Sequence, residues 1–121
     1  MLESQIQSKI LAYLSAREGV YSYRSRATHC GVLDIQVCYY GLFVAIEVKQ
    51  PNSSYGASDL QNLNISMIEA SYGIAAICKG VQDVIELLDT IDKEYKDVIE
   101  LIKNKKKNQK IHKSKINEFI F

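Results

Sequence analysis

Residues 31–52 read GVLDIQVCYYGLFVAIEVKQPN, two β-rich runs on either side of Gly41 that carry three charged side chains, Asp34, Glu47 and Lys49, among apolar neighbours. Residues 34–40 and 42–49 have the composition of paired strands, the glycine between them is a tight-hairpin signal, and Pro51 ends the second run. Side chains alternate along a strand, so Glu47 and Lys49 share one face while Val44, Ile46 and Val48 share the other. Antiparallel pairing around Gly41 sets the start of the first run opposite the end of the second. Asp34 therefore comes near Glu47 and Lys49.

Two neighbouring carboxylates repel, and taking them from water uncompensated costs several kcal/mol each, on the order of the penalty for any buried ion. Lys49 neutralises one. The second negative charge is open to two readings. In the first, hard oxygen ligands hold a divalent cation, Mg²⁺ or Mn²⁺. In the second, the strand end is exposed, Glu47 and Lys49 form an ordinary ion pair, and Asp34 merely begins a strand after a turn.

Outward from the hairpin, the chain alternates helix and strand. From Leu2 to Ala16, Ile6, Ile10, Tyr13 and Leu14 recur at helical spacing, and Gly19 follows where a helix would stop. Glu3 lies about two turns below Ile10 on that face. VYSYRSR, residues 20–26, alternates as a half-buried strand, with Ser22, Arg24 and Arg26 on one side and Tyr21, Tyr23 and Ser25 on the other. After the loop NSSYGAS, Ser58 is placed to cap a helix running to about Ser71, with Leu60, Leu63, Met67 and Ile68 expected inward. IAAIC, residues 74–78, is continuous and apolar, the pattern of a central strand. Val84, Leu88, Ile91, Tyr95, Val98 and Ile102 then form a heptad-like seam that reads as core packing or as a dimer contact. This order of elements predicts an α/β domain with a mixed sheet between helices.

At 121 residues, 47% hydrophobic, 24% charged and with one proline, the chain fits a single globular domain. The N-terminal residues lack the basic start and unbroken apolar run of a signal peptide, and no stretch approaches the roughly 20 apolar residues that span a bilayer. An intracellular protein is expected. Cys30, Cys38 and Cys78 are odd in number, lack C-x-x-C spacing and sit beside apolar neighbours, so they read as reduced core residues rather than zinc ligands. His29 and His112 have no second histidine at ligand spacing. The near-neutral net charge hides an asymmetry: residues 103–121 hold seven lysines against Glu118 alone, whereas residues 1–102 hold thirteen acids against eight basic residues. The expected organisation is a domain over 1–102 and a lysine-rich tail over 103–121 that is mobile or only loosely helical.

GVLD, twelve intervening residues and EVK together resemble the PD-(D/E)xK nuclease signature. The surrounding chain is similar to the VRR-NUC branch, the virus-type replication and repair nucleases that include Holliday junction resolvase-like enzymes. The likeness extends to an opening helix with an early acid (Glu3), the turn in YYGLFVAIEVK, a glutamine in the next helix (Gln61) and YGIAAICKGVQDV as strand into helix. It covers roughly residues 1–90 and leaves the tail outside. One departure is Leu33, where the family usually has proline before the aspartate.

The resemblance implies a restriction-endonuclease-like αβββαβ core with a mixed central sheet, followed here by a C-terminal helix and the basic tail. It implies that Asp34, Glu47 and the backbone carbonyl of Val48 bind Mg²⁺ or Mn²⁺, with Glu3 completing the site. Lys49 would contact the attacking water or the scissile phosphate, its charge favouring an electrostatic role over that of a general base, and Gln61 would help position that group. The implied activity is metal-dependent endonucleolytic hydrolysis of DNA, structure-selective for branched, flapped or Holliday junction substrates, by a homodimer. The alternative from another class is a non-catalytic DNA-binding accessory module with a nuclease fold.

For DNA contact, Arg24 and Arg26 share a strand face and guanidinium donors match phosphate, with rim ion pairs as the other reading. The tail, including Lys105, Lys106 and Lys107, suits either phosphate contact or simple solubility. Tyr39, Tyr40, Tyr55 and Tyr72 read as core or rim rather than as base-stacking platforms.

Overall fold

The computed structural model describes residues 2–26, 31–52 and 57–106. His29, Cys30, Tyr55, Lys107, His112 and the rest of the tail lie outside them. Eight elements follow in order: α1 (Glu3–Ser15), β1 (Val20–Arg24), β2 (Ile35–Tyr39), β3 (Leu42–Val48), α2 (Asp59–Ala70), β4 (Ile74–Cys78), α3 (Val81–Glu94) and α4 (Lys96–Lys106).

The hairpin fixes the register of the sheet. Tyr40 and Gly41 make a two-residue turn with φ of 47° and 83°, the left-handed pair of a type I′ turn, whose twist matches the strands it joins. Tyr39 then pairs with Leu42, Val37 with Val44 and Ile35 with Ile46. β1 adds antiparallel to β2, and β4 adds parallel to β3 after the α2 crossover, giving the order β1-β2-β3-β4. The sheet is mixed, as the sequence predicts. The expectation of a central IAAIC strand is corrected, because among the described residues β4 is an edge and Ile77 is exposed. Its apolar run reflects packing beneath α2 and α3 rather than strands on both sides.

One face of the sheet carries the core. Ile35, Val37 and Tyr39 from β2, Val44, Ile46 and Val48 from β3 and Cys78 from β4 meet Ile6, Ile10 and Leu14 of α1 and Val84, Leu88 and Ile91 of α3. These helix residues follow the spacings read from sequence, and the first half of the heptad-like seam is thus core of this chain. Tyr95 still packs against that core, and the seam fails at Val98. At Tyr95 the backbone leaves helical geometry (φ −111°, ψ 21°), and the restart shifts the inward stripe by one residue, so Ile99 is buried and Val98 is exposed. α4 continues to Lys106, so Lys103, Lys105 and Lys106, at the start of the lysine-rich segment, are helical. Lysines in a last turn suit the negative end of the helix dipole.

The other face of the sheet is only partly covered. α2 crosses it and packs mainly on β4, while Tyr21, Tyr23, Cys38 and Phe43 remain exposed on the same side. Cys38 therefore corrects the reading of the described cysteines as core; it alternates away from Val37 and Tyr39, and only Cys78 is buried. Burial, and secondarily Asp83, pushes the Cys78 thiol up to about 12.

α2 begins where the sequence indicates, with a rotated face. Ser58 Oγ accepts from the Gln61 N–H at 3.2 Å, and Gln61 Oε1 accepts from the Ser58 N–H at 2.9 Å, a reciprocal capping box. Gln61 also turns toward the sheet, so its helical neighbours Asn64, Ile65 and Ile68 form the half-buried side. Leu60, Leu63 and Met67, expected inward, point out instead. Ile68 alone of the four faces inward as read.

Candidate active site

Continuing the hairpin register one step past the Ile35–Ile46 pair sets Asp34 across from Glu47. Both alternate away from the core face, toward the side that α2 covers. The Val48 N–H donates to Asp34 Oδ2 at 2.8 Å, and the Asp34 carbonyl accepts from the Ser25 N–H at 2.8 Å, so Asp34 is held by both flanking strand ends. The Lys49 N–H donates to the Cys78 carbonyl at 3.1 Å, which anchors the end of β3 on β4.

Glu47 is the centre of the cluster. At 2% exposure it is buried, and its Oε2 accepts from Gln61 Nε2 at 2.7 Å while lying 3.3 Å from Lys49 Nζ. Its Oε1 is buried without a partner. Burial raises the Glu47 carboxyl above the ordinary carboxylate range, the charge on Asp34 raises it further, and Lys49 and Gln61 act in the opposite direction. A buried carboxylate with one oxygen doubly engaged and the other orphaned lacks a positive or protic partner on that side. The donor chemistry, carboxylate oxygens from Asp34 and Glu47 beside the Val48 peptide, fits a hard divalent cation such as Mg²⁺ or Mn²⁺.

The sequence-predicted residues divide into those that gather here and those that do not. Asp34, Glu47, Val48, Lys49 and Gln61 gather. Glu3, the first residue of α1, does not join Asp34 and Glu47: no group of three His, Cys, Asp or Glu side chains suited to a metal forms among the described residues. Arg24 is engaged by α1, its Nη2 donating to Ser8 Oγ at 2.9 Å and to the Ser4 carbonyl at 3.3 Å, while Arg26 is exposed at the loop after β1. Lys105 and Lys106 end α4, and Lys106 lines a groove of about 1040 Å³ with Gly41 and Tyr40. That groove lies at the turn end of the sheet, away from the carboxylates at the opposite strand ends.

Two supporting features were not read from sequence. Gly31 has φ of 84°, and any Cβ there would sit 2.7 Å from the Leu60 carbonyl oxygen. This glycine lets the first turn of α2 descend beside the Asp34 loop, carrying Gln61 to Glu47; its place at the head of GVLD was the available signal. Leu33 is fully buried, so the residue that departs from the resembled family's proline packs as core. The second feature is a polar knot at the other end of the core. Tyr39 Oη donates to Asp92 Oδ1 at 2.5 Å, and Arg17 donates to Asp92 Oδ2 at 2.8 Å, to Tyr39 at 3.1 Å and to Tyr13 at 2.6 Å. Tyr39 is thus core, as read, and Tyr40 is half-buried beneath Lys103 Nζ, 4.8 Å from the ring centroid. Tyr72 is exposed.

The helix, antiparallel hairpin sheet, crossover helix and parallel strand, with a carboxylate pair at the strand ends, define a mixed α/β domain of nuclease-like fold. Among solved structures, a VRR_NUC domain protein shares this fold at a TM-score of 0.63 and 21% sequence identity, over 77% of this chain and 89% of that one. No family model matches the sequence, and no curated protein does. Among the described residues, no helix is long and apolar enough to cross a membrane.

Proposed function

We propose that the chain is a Mg²⁺- or Mn²⁺-dependent endodeoxyribonuclease that hydrolyses phosphodiester bonds, with branched, flapped or junction DNA as its substrate class. The observation that carries this reading is the orphaned Oε1 of buried Glu47, a residue that lies across from Asp34 in the sheet register and is paired through its other oxygen with Lys49. The fold shared with a VRR_NUC domain protein supports it. Asp34, Glu47 and the Val48 carbonyl are the groups that would hold the cation. When bound, such an ion supplies Lewis-acid polarisation of the phosphate and a lowered pKa for water.

The chain's own residues do the rest. Gln61 and Lys49 engage Oε2 and so leave Oε1 for the ligand. The Val48 N–H fixes Asp34 by one oxygen, which holds its carboxylate beside Glu47. Lys49 offers its ammonium to a phosphate oxygen, binding and orienting the scissile group. Arg26, Lys105 and Lys106 are exposed and available to contact phosphates, and their spread toward both ends of the sheet suits a substrate longer than the site itself. A chain of 121 residues has few elements with which to read base edges, which favours recognition of DNA shape.

Among the described residues only two acids converge, which favours a second reading, a DNA-binding module of nuclease fold without turnover. Labelled duplex, flap and four-way junction DNA, incubated with Mn²⁺ or chelator beside a Lys49→Ala variant, separates the two. Metal-dependent cutting lost in the variant supports the enzyme; binding with no cutting of any substrate supports the module.

A further inference from the structure

The last residue of α4 stands at the edge of the sheet face that α2 leaves open. Lys106 lines the groove of about 1040 Å³ together with Ile102, Gly41, Tyr21 and Cys38. From that groove the register runs across the open side of the sheet, Tyr21 beside Cys38 and Cys38 beside Phe43. Tyr21 is 70% and Phe43 47% exposed, and the Cys38 thiol lies exposed between them. Fifteen residues of sequence follow Lys106. Their composition changes along the way, from the basic KNQKIHKSK of 107–115 to INEFIF of 116–121, where Ile116, Phe119, Ile120 and Phe121 are apolar.

We propose that residues 116–121 fold back over Tyr21, Cys38 and Phe43, so that the open side of the sheet is a docking surface for this chain's own tail. Reach is the first argument. Nine residues, 107–115, extend to about 30 Å, whereas β1 to β3 is two strand spacings, about 10 Å. Chemistry is the second. An apolar segment that follows a run of lysines and an apolar sheet face at the exit of α4 both lose water-exposed surface when they meet. Charge is the third. Lys107, Lys110, Lys113 and Lys115 must pass the groove, where Glu18 and Glu100 are the acids; of its two lysines, Lys103 is drawn over the Tyr40 ring and Lys106 begins the exit. The excess of acids over bases in residues 1–102 attracts the same lysines more generally. Tethering then decides the occupant: a segment on a short linker meets the face at an effective concentration in the millimolar range, on the order that a weak apolar contact needs.

The Cys38 thiol reports whether the face is covered. In the full chain with Cys30→Ser, Cys38 is the exposed cysteine and Cys78 the buried one, so a maleimide reads Cys38. A face open for about one-tenth of the time reacts about tenfold more slowly than one left open. Phe119→Ser/Phe121→Ser is therefore expected to raise the labelling rate about tenfold, with far-ultraviolet circular dichroism unchanged. Leu101→Ser, at an exposed apolar position on α4 outside the face, is expected to leave the rate as it was. Phe119→Cys in the same background, under mild oxidant, should form a disulfide with Cys38 inside one chain, at a yield independent of protein concentration. Equal labelling with and without the two phenylalanines overturns the proposal, as does a disulfide that joins two chains or fails to form. The measurements use neither DNA nor metal, so their failure leaves the reading of the carboxylates untouched.

Discussion

Gln61 and Glu47 are joined by a 2.7 Å hydrogen bond from the same amide that caps α2, so the helix start and the buried carboxylate are positioned by one side chain. Its oxygen accepts from Ser58, its nitrogen donates to Glu47 Oε2. A capping residue that also touches the carboxylate cluster ties local helix chemistry to the geometry of the candidate site.

That double use makes two substitutions distinguishable. Gln61→Glu keeps an acceptor for the Ser58 N–H, as capping boxes accept either residue, but replaces the donor to Glu47 with a third acid. Gln61→Ala removes both. Denaturant unfolding should find the alanine variant less stable than wild type by about 1–3 kcal/mol, the sum of a lost cap and a lost hydrogen bond to a charged group. Without metal, the glutamate variant should also be destabilised, and Mn²⁺ should restore it more than it raises wild type. Equal stability of all three would show that the amide bridges nothing.

Gly31→Ala addresses the same helix from below. A methyl group there meets the Leu60 carbonyl at 2.7 Å and must adopt a left-handed φ, so either α2 or the Asp34 loop shifts. A loss of about 1 kcal/mol or more is expected from such a position. Solvent exchange at residues 59–62 should rise with it. Unchanged stability and exchange would contradict the close approach.

The pH dependence of the metal-free protein follows from Glu47. Its carboxyl is raised in the folded chain, by burial first and by Asp34 second, so the folded state keeps a proton that the unfolded state has released. This contribution to stability is fully present below the unfolded value of about 4.3 and is lost as pH rises through the raised folded value. In chelator, the melting temperature of wild type relative to Glu47→Gln should therefore decline from about pH 5 upward. Thermal melts of the two proteins across that range measure it, and a difference that stays constant or grows in favour of wild type contradicts it.

At the far end of the core, Tyr39→Phe removes the hydroxyl that links Arg17 and Asp92. Burial, followed by the bond to Asp92, pushes the Tyr39 hydroxyl up to about 12. Between the ordinary tyrosine value of about 10 and that value, the folded chain retains a proton that the unfolded chain loses, so this contribution to stability falls with rising pH. The variant should lose about 1 kcal/mol at neutral pH and lack a tyrosine that titrates near pH 12 in an ultraviolet titration. Its affinity for Mn²⁺ should equal that of wild type.

The hairpin was legible because its information is local: Gly41 fixes the turn, the turn fixes the register, and the register fixes Asp34 opposite Glu47. The Ser58 cap was legible for the same reason. The rotation of α2 was not, since hydrophobic periodicity assigns Leu60, Leu63 and Met67 to a core, whereas the tertiary pull of Glu47 on Gln61 turns that stripe outward. β4 misled in a similar way, because a continuous apolar run registers cover from helices as readily as cover from strands. The restart at Tyr95 left no Gly or Pro to mark it, and the seam read straight through it.

Cleavage of a labelled flap substrate by wild type and by Glu47→Gln, each in Mn²⁺ and in chelator, is the most direct test of the site. Glutamine keeps the volume and the partner for Gln61 but not the negative charge that Oε1 and Oε2 share. Cutting by wild type in Mn²⁺ alone, slowed by about 10²-fold or more in the variant, is expected for a group that supports transition-state charge. Cutting by wild type in chelator, or at an equal rate by the variant, would contradict it.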